Sequence, residues 1–195
     1  MSQISEAQVI KTETEASQNT AARVGGLLES LAGRTGWIDY VDTQYSEGSP
    51  FELSADTDTL LPNNAGTVVD DHAPKNGDTD IALYSGGLIT GRQGDGLAIT
   101  IDFKAKPTEG ATTYIEVWVD ITGGTGTPAA LSSLYKRIIT FPKGNGVERP
   151  INFTTMAYTL DTWASNGGAV YVRANGTADL YDIRFVIHRT HRNQL

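Results

Sequence analysis

From Trp37 onward the large apolar side chains recur at every second position; before it they do not. In LAITIDF, Leu97, Ile99, Ile101 and Phe103 fall on one side, and Thr100 and Asp102 on the other. In TTYIEVWVDI, Ile115, Val117, Val119 and Ile121 make one face, and Tyr114, Glu116, Trp118 and Asp120 the opposite one. In LYDIRFVIHR, Tyr181, Ile183, Phe185 and Ile187 alternate with Asp182, Arg184, Val186 and His188. A period of two marks a strand with one covered face. Shorter runs of the same kind are Trp37–Val41, Phe51–Leu53, Thr67–Val69, Ile81–Tyr84, Tyr135–Phe141, Ile151–Thr155 and Ala169–Ala174. Turn formers separate them: Pro62-Asn63-Asn64, Lys75-Asn76-Gly77, Gly123-Gly124, Gly144-Asn145-Gly146, Asn166-Gly167-Gly168 and Asn175-Gly176. Asn175-Gly176, between two strong runs, reads as a hairpin. No helical pattern is legible after Gly36. Strands in this number without an intervening helix predict an all-β fold of two packed sheets, a jelly-roll sandwich, with a β-barrel as the alternative.

The segment before Gly33–Gly36 is built differently. Residues 1–18 are polar, with Ile4, Val9 and Ile10 as their large apolar groups, too few to offset the entropy of ordering the segment. Asn19 and Thr20 suit a helix N-cap, and Gly33 suits a C-cap. Between them Ala21, Val24, Leu28 and Leu31 recur at spacings of three, four and three, the seam of a helix that packs against another surface. Gly25 and Gly26 each weaken that helix by about 1 kcal/mol against alanine. So short a helix does not stand alone in water. Its partner is either its own β domain or identical copies meeting on a symmetry axis. The expected layout is an extended anchoring arm over 1–18, a short oligomerising helix with a Gly-rich linker over 19–36, and the sandwich over 37–195.

Charge and composition exclude several classes. There is no cysteine, so neither disulfides nor thiolate metal sites form. The net charge of −8 disfavours nucleic acid and anionic lipid as partners. No apolar run is long enough to insert in a membrane, and the first twenty residues lack the basic start and apolar middle of a secretion signal. The chain is expected to be made in a host cytoplasm and to reach its destination by assembly. Residues 1–60 hold ten acids and three bases; residues 135–195 hold four acids and eight bases. That bias fits complementary charge between the two ends of the chain or between subunits. It also fits a basic surface for an anionic glycan.

Catalytic chemistry is thinly supplied. The histidines are His72, His188 and His191. Ser85 lacks the G-x-S-x-G elbow, and Gly123-Gly124-Thr125-Gly126-Thr127 has neither the lysine nor the helix of a phosphate loop. His188-x-x-His191 on a strand puts its two rings on opposite faces. The carboxylate pairs Asp56/Asp58, Asp70/Asp71 and Asp78/Asp80 lack the rest of a calcium loop. A carboxylate pair for glycoside hydrolysis is assembled across strands, and no residue pattern singles one out. The expectation is therefore no enzyme, no cofactor and no metal. Trp118 and Tyr114 stand out because they share the face opposite the Ile/Val row. A second subunit, a loop, or a ligand stacked on the two rings would each cover them.

The segment Asn19-Thr20-Ala21-Ala22-Arg23-Val24-Gly25-Gly26-Leu27-Leu28 resembles a junction in tailed-bacteriophage virion proteins, where such a helix joins a polar arm to a β-rich tip. The tract Trp37-Ile38-Asp39-Tyr40-Val41-Asp42, the TLLPNN segment and the closing FVIHR are similar to small trimeric jelly-roll modules of phage head fibres, decoration proteins and tail fibres, which share the tumour-necrosis-factor and C1q fold. The resemblance implies a homotrimer docked on capsid or tail through its arm, with the head projecting outward, and it brings no catalytic residues. The expected function is thus that of a virion structural protein, with host-surface contact as a further role. A carbohydrate-binding sandwich is the alternative, and a glycan hydrolase the third reading.

Overall fold

The computed structural model describes residues 21–32, 35–61, 66–76, 79–80, 82–122, 133–141 and 146–192. The arm, the Asn19–Thr20 cap, Gly33, Ile81, and the turns at 62–64, Gly77, 123–127 and 144–145 lie outside the described residues. The helix expected before the sandwich is α1 (Ala21–Ala32). The strands are β1 (Gly36–Asp42), β2 (Phe51–Leu53), β3 (Thr59–Leu60), β4 (Gly66–Val69), β5 (Lys75–Asn76), β6 (Thr79–Asp80), β7 (Tyr84–Ser85), β8 (Leu88–Ile89), β9 (Gly96–Pro107), β10 (Tyr114–Asp120), β11 (Ser133–Thr140) and β12 (Arg149–Tyr158). A short helix α2 (Asp161–Asn166) precedes the last two strands, β13 (Ala169–Ala174) and β14 (Ala178–His191).

Two antiparallel sheets form the sandwich. The larger has the order β12-β9-β14-β1-β4, with β2 also paired to β14; the smaller has the order β11-β10-β13-β3. The chain passes to the smaller sheet at β3 and back by β4, and again changes sheet at β9–β10, β11–β12, β12–β13 and β13–β14. That is jelly-roll topology, as the strand pattern predicts. The alternating rows fill the interior: Leu97, Ile99, Ile101 and Phe103 from β9 meet Ile115, Val117 and Val119 from β10 and Ile183, Phe185 and Ile187 from β14, all buried.

The structure corrects three expectations. First, a helix does follow Gly36. The six residues of α2 bury only Trp163, whose indole N–H donates to the Ile89 carbonyl (2.9 Å) and so plugs one end of the core. Gly168 leaves room for it, since a Cβ there would lie 2.8 Å from the Trp163 ring. Second, Asn175-Gly176 is not a hairpin, because β13 and β14 belong to different sheets. Asn175 is instead a clasp. Its Oδ1 accepts the amides of Thr113 (2.9 Å) and Tyr114 (3.0 Å), and its Nδ2 donates to the Ala111 carbonyl (3.1 Å). Third, Tyr181 does not share the row of Ile183 and Phe185. A bulge between Tyr181 and Arg184, with Asp182 at φ 53°, inserts a residue and resets the phase. Tyr181 pairs with Lys104 on the outer face, where the Lys104 ammonium lies 5.8 Å from its ring and Glu148 accepts its hydroxyl proton.

Among the described residues one ion pair is fully buried. Arg189 Nη1 lies 3.7 Å from Asp95 Oδ2, tying β14 to the loop before β9, and Asp95 also accepts the Arg92 amide (3.1 Å). Burial pushes the Arg189 pKa down, and Asp95 opposes that shift. Removing one partner from such a pair strands a charge in the interior. Asp95→Asn is expected to lower unfolding free energy by about 3–5 kcal/mol. The double variant Asp95→Leu/Arg189→Met should lose far less. Urea denaturation of the two proteins checks the difference.

Candidate functional site

Among the described residues no three metal-ligating side chains gather, and no helix is long and apolar enough to cross a membrane. The features that stand out are surfaces.

The first is α1. Val24 and Leu28 of the predicted seam are 37% and 60% exposed. Ala21 and Leu31 lie on the same helix at the predicted spacing, and their side chains are outside the described residues. Among the described residues no strand packs extensively against α1. Its two central glycines have open space around them. At the point where the linker reaches the sandwich, Gly36 approaches the His72 carbonyl so closely that a Cβ would lie 2.5 Å from it. The Trp37 amide then donates to that carbonyl (2.9 Å), and the Trp37 ring lies against His72 and His188.

The second is the outer face of the larger sheet. Near its centre, charged and polar side chains pair with one another. Arg184 forks onto Asp39 (Nε–Oδ1 2.8 Å, Nη2–Oδ2 2.6 Å), which raises the Arg184 pKa further. Asn152 donates to Asp102, and Thr100 meets Thr154 (2.8 Å). Around these pairs stand Val41 and Val69, and along β12 Met156 and Tyr158, 67% and 68% exposed, with Leu160 beyond them. In register, Met156, Ala98, His188 and Trp37 form one row across four strands.

The third is the outer face of the smaller sheet, which holds the two sequence-predicted aromatics. Trp118 is only 2% exposed. It stacks on Tyr171 (5.9 Å between centroids), which is opposite it on β13, and packs with Ala169 and Leu88. The Lys136 ammonium lies 5.2 Å from its ring and bonds Glu116 (2.8 Å). The Trp118 cover is thus its own chain, which removes the exposed-platform reading for this residue. Tyr114 is half-buried at the other end of β10 and does not join the cluster. The Trp118 indole N–H is buried and has no hydrogen-bond partner among the described residues.

A carboxylate pair does assemble across strands: Glu52 on β2 is opposite Asp179 on β14, at a depression shared with Thr108 and Thr177. Burial, and then Glu52, hold the Asp179 carboxyl above its usual range. Like charges placed directly opposite are destabilising.

No protein-family model matches the chain, and no curated protein matches it. Among solved structures the chain is similar to Eiger TNF from S. frugiperda, with 9% identity and a TM-score of 0.47 over 82% of this chain and 96% of that one. It is also similar to the D431N mutant VP2 protein of infectious bursal disease virus, from T=1 particles, with 9% identity and a TM-score of 0.30 over 81% of this chain and 32% of that one. Likeness at this level carries no argument about function; the jelly-roll assignment rests on the strand order itself.

Two predictions follow from these surfaces. Because Trp118 acts by packing and its N–H has no partner among the described residues, Trp118→Phe should cost clearly less than Trp118→Ala, which should lose about 3–5 kcal/mol, read by urea denaturation. For Asp179 the folded pKa is raised, so the folded state binds more protons than the unfolded one. Stability contributed this way is present below the carboxylate range and is lost as pH rises through the folded value. Asp179→Asn should therefore stabilise the protein at pH 7 by about 0.2–1 kcal/mol and flatten its stability profile through the acid range, measured by thermal denaturation across pH.

Proposed function

We propose that the chain is a structural protein of a tailed-bacteriophage virion, a homotrimeric fibre or decoration protein made in the host cytoplasm. Residues 1–18 attach it to capsid or tail, α1 clusters with its copies on the threefold axis, and the sandwich projects outward. Its partners in this reading are itself, a capsid or tail protein and a host-surface glycan. Neither nucleic acid nor a membrane interior is among them, and it is not an enzyme.

The observation that carries the reading is the pairing of two surfaces. One helix face is left apolar and open, and the centre of one sheet face has already paired its charges. Burying the second against a copy desolvates few unpaired groups, while Val41, Val69, Met156 and Tyr158 supply apolar area. The resemblance of the 19–28 segment to phage junction helices supports the virion assignment and the threefold. With Trp118 covered by its own chain, glycan contact needs another surface.

Leu28→Asp should convert the trimer to monomer while far-UV circular dichroism keeps its β signature; analytical ultracentrifugation reads the mass. A wild-type protein that sediments as a monomer overturns the trimeric reading, and an unchanged trimer in the variant removes α1 from the contact.

A further inference from the structure

We propose that the open seam between β11 and β12 binds the carboxylate of an acidic sugar. On this side of the sandwich each sheet, among the described residues, ends in an edge strand, β11 in the smaller and β12 in the larger. Between them lies a groove of about 450 Å³, with Arg137, Ile139, Arg149, Ile151, Asn152 and Phe153 among its lining. Register sets the direction of each residue. Arg137 is opposite Val117, and Arg149 is opposite Ala105, both core residues. The two arginines therefore leave their strands on the inward side, one from each sheet, into one groove.

An inward-pointing charge on an edge strand is a common guard against edge-to-edge pairing. That role needs no second cation in the same groove and does not explain the missing counter-charge. Several other bases on the sandwich have carboxylate partners: Lys136 with Glu116, Lys104 with Glu148 and Asp182, Arg173 with Asp56 and Asp58, and Arg184 with Asp39. Among the described residues neither Arg137 nor Arg149 has a carboxylate partner. Arg149 donates to the Thr140 carbonyl, which positions its guanidinium and leaves further N–H groups to the groove. Two planar forks suit a carboxylate, which each can hold through paired N–H donors. Ile139, Ile151 and Phe153 give the groove an apolar floor, against which the C–H face of a pyranose ring rests. The volume matches a small-molecule site. A chain of net charge −8 repels long polyanions, which favours a single acidic sugar unit over nucleic acid. The smallest ligand with both features is a hexuronate. The site extends the host-surface part of the function proposed above and does not depend on trimerisation.

The test is calorimetric titration of the full chain with glucuronate, glucose and sulfate. Glucuronate is expected to bind at least about tenfold more tightly than either glucose, which lacks the charge, or sulfate, which lacks the ring. Arg137→Gln and Arg149→Gln should each weaken glucuronate by about tenfold or more, with circular dichroism and sedimented mass unchanged. Arg137→Lys should recover only part of the loss, since it keeps the charge without the fork. Arg173→Gln, remote from the seam, should bind as wild type. No heat with glucuronate, or equal affinity for sulfate (an adventitious anion only), overturns the proposal. So does a loss of binding accompanied by a fall in mass, which would make the arginines a contact with a neighbouring copy. A monomer that still binds glucuronate leaves this site standing and sinks the trimer alone.

Discussion

The sandwich depends on the backbone pairing of its last strand. β14 runs through the middle of the larger sheet, bonded to β9 along one edge and to β1 and then β2 along the other. Without β14 the larger sheet is split in two, because β1 and β9 are joined only through it among the described residues. Such long-range pairing makes folding slow and final-state stability cooperative. It also explains why the buried Arg189 is tolerable. At the end of the central strand its guanidinium meets Asp95 from the loop that starts β9, so the ion pair joins the two strands whose pairing defines the sheet. A buried pair of this kind adds little net stability but penalises any register that separates its members.

Most of this architecture was legible in the sequence because one-sided burial writes a period of two directly into the chain. The rows in β9 and β10 are buried as their alternation predicts. What period two cannot carry is phase across an insertion, so the bulge at Asp182 moved Tyr181 to the other face without altering the apparent alternation. Nor can it carry sheet partners. Asn175-Gly176 has turn chemistry, but a turn between sheets and a turn within one use the same residues, and only the side-chain bonds of Asn175 to the 111–114 segment reveal which it is. Helix α2 escaped because six residues span under two turns and show no periodicity, while Trp163 alone does the packing.

The surfaces were less legible, for a related reason. On β12 the usual rule inverts: Thr155 and Ala157 face the core while Met156 and Tyr158 face outward. Small side chains inside and large ones outside read as noise until the neighbouring strand fixes the phase. Trp118 misled in the opposite sense. Its face was correctly assigned as the outer one, but Tyr171, Leu88 and Lys136 come from segments whose proximity the sequence does not state. The arginines of the seam did carry a signal. Tyr135, Arg137, Ile139 and Phe141 share a parity, so a cation stands in a row that is otherwise apolar or aromatic.

The charge imbalance between the two ends of the chain resolves along the same lines. Acids early in the chain meet bases late in it: Asp39 with Arg184, and Asp56 and Asp58 with Arg173. These pairs are exposed or half-exposed, so their direct contribution to stability is modest. Their larger effect is on what the surface can contact. A fork already closed on a carboxylate presents little unpaired charge to a neighbour, and the penalty for covering it falls accordingly. The Asp39–Arg184 part of the larger sheet's outer face is closed this way, whereas at the seam neither guanidinium has a carboxylate partner among the described residues. The same charge pattern thus treats two surfaces differently, pairing the forks on the sheet face and leaving those at the seam to solvent.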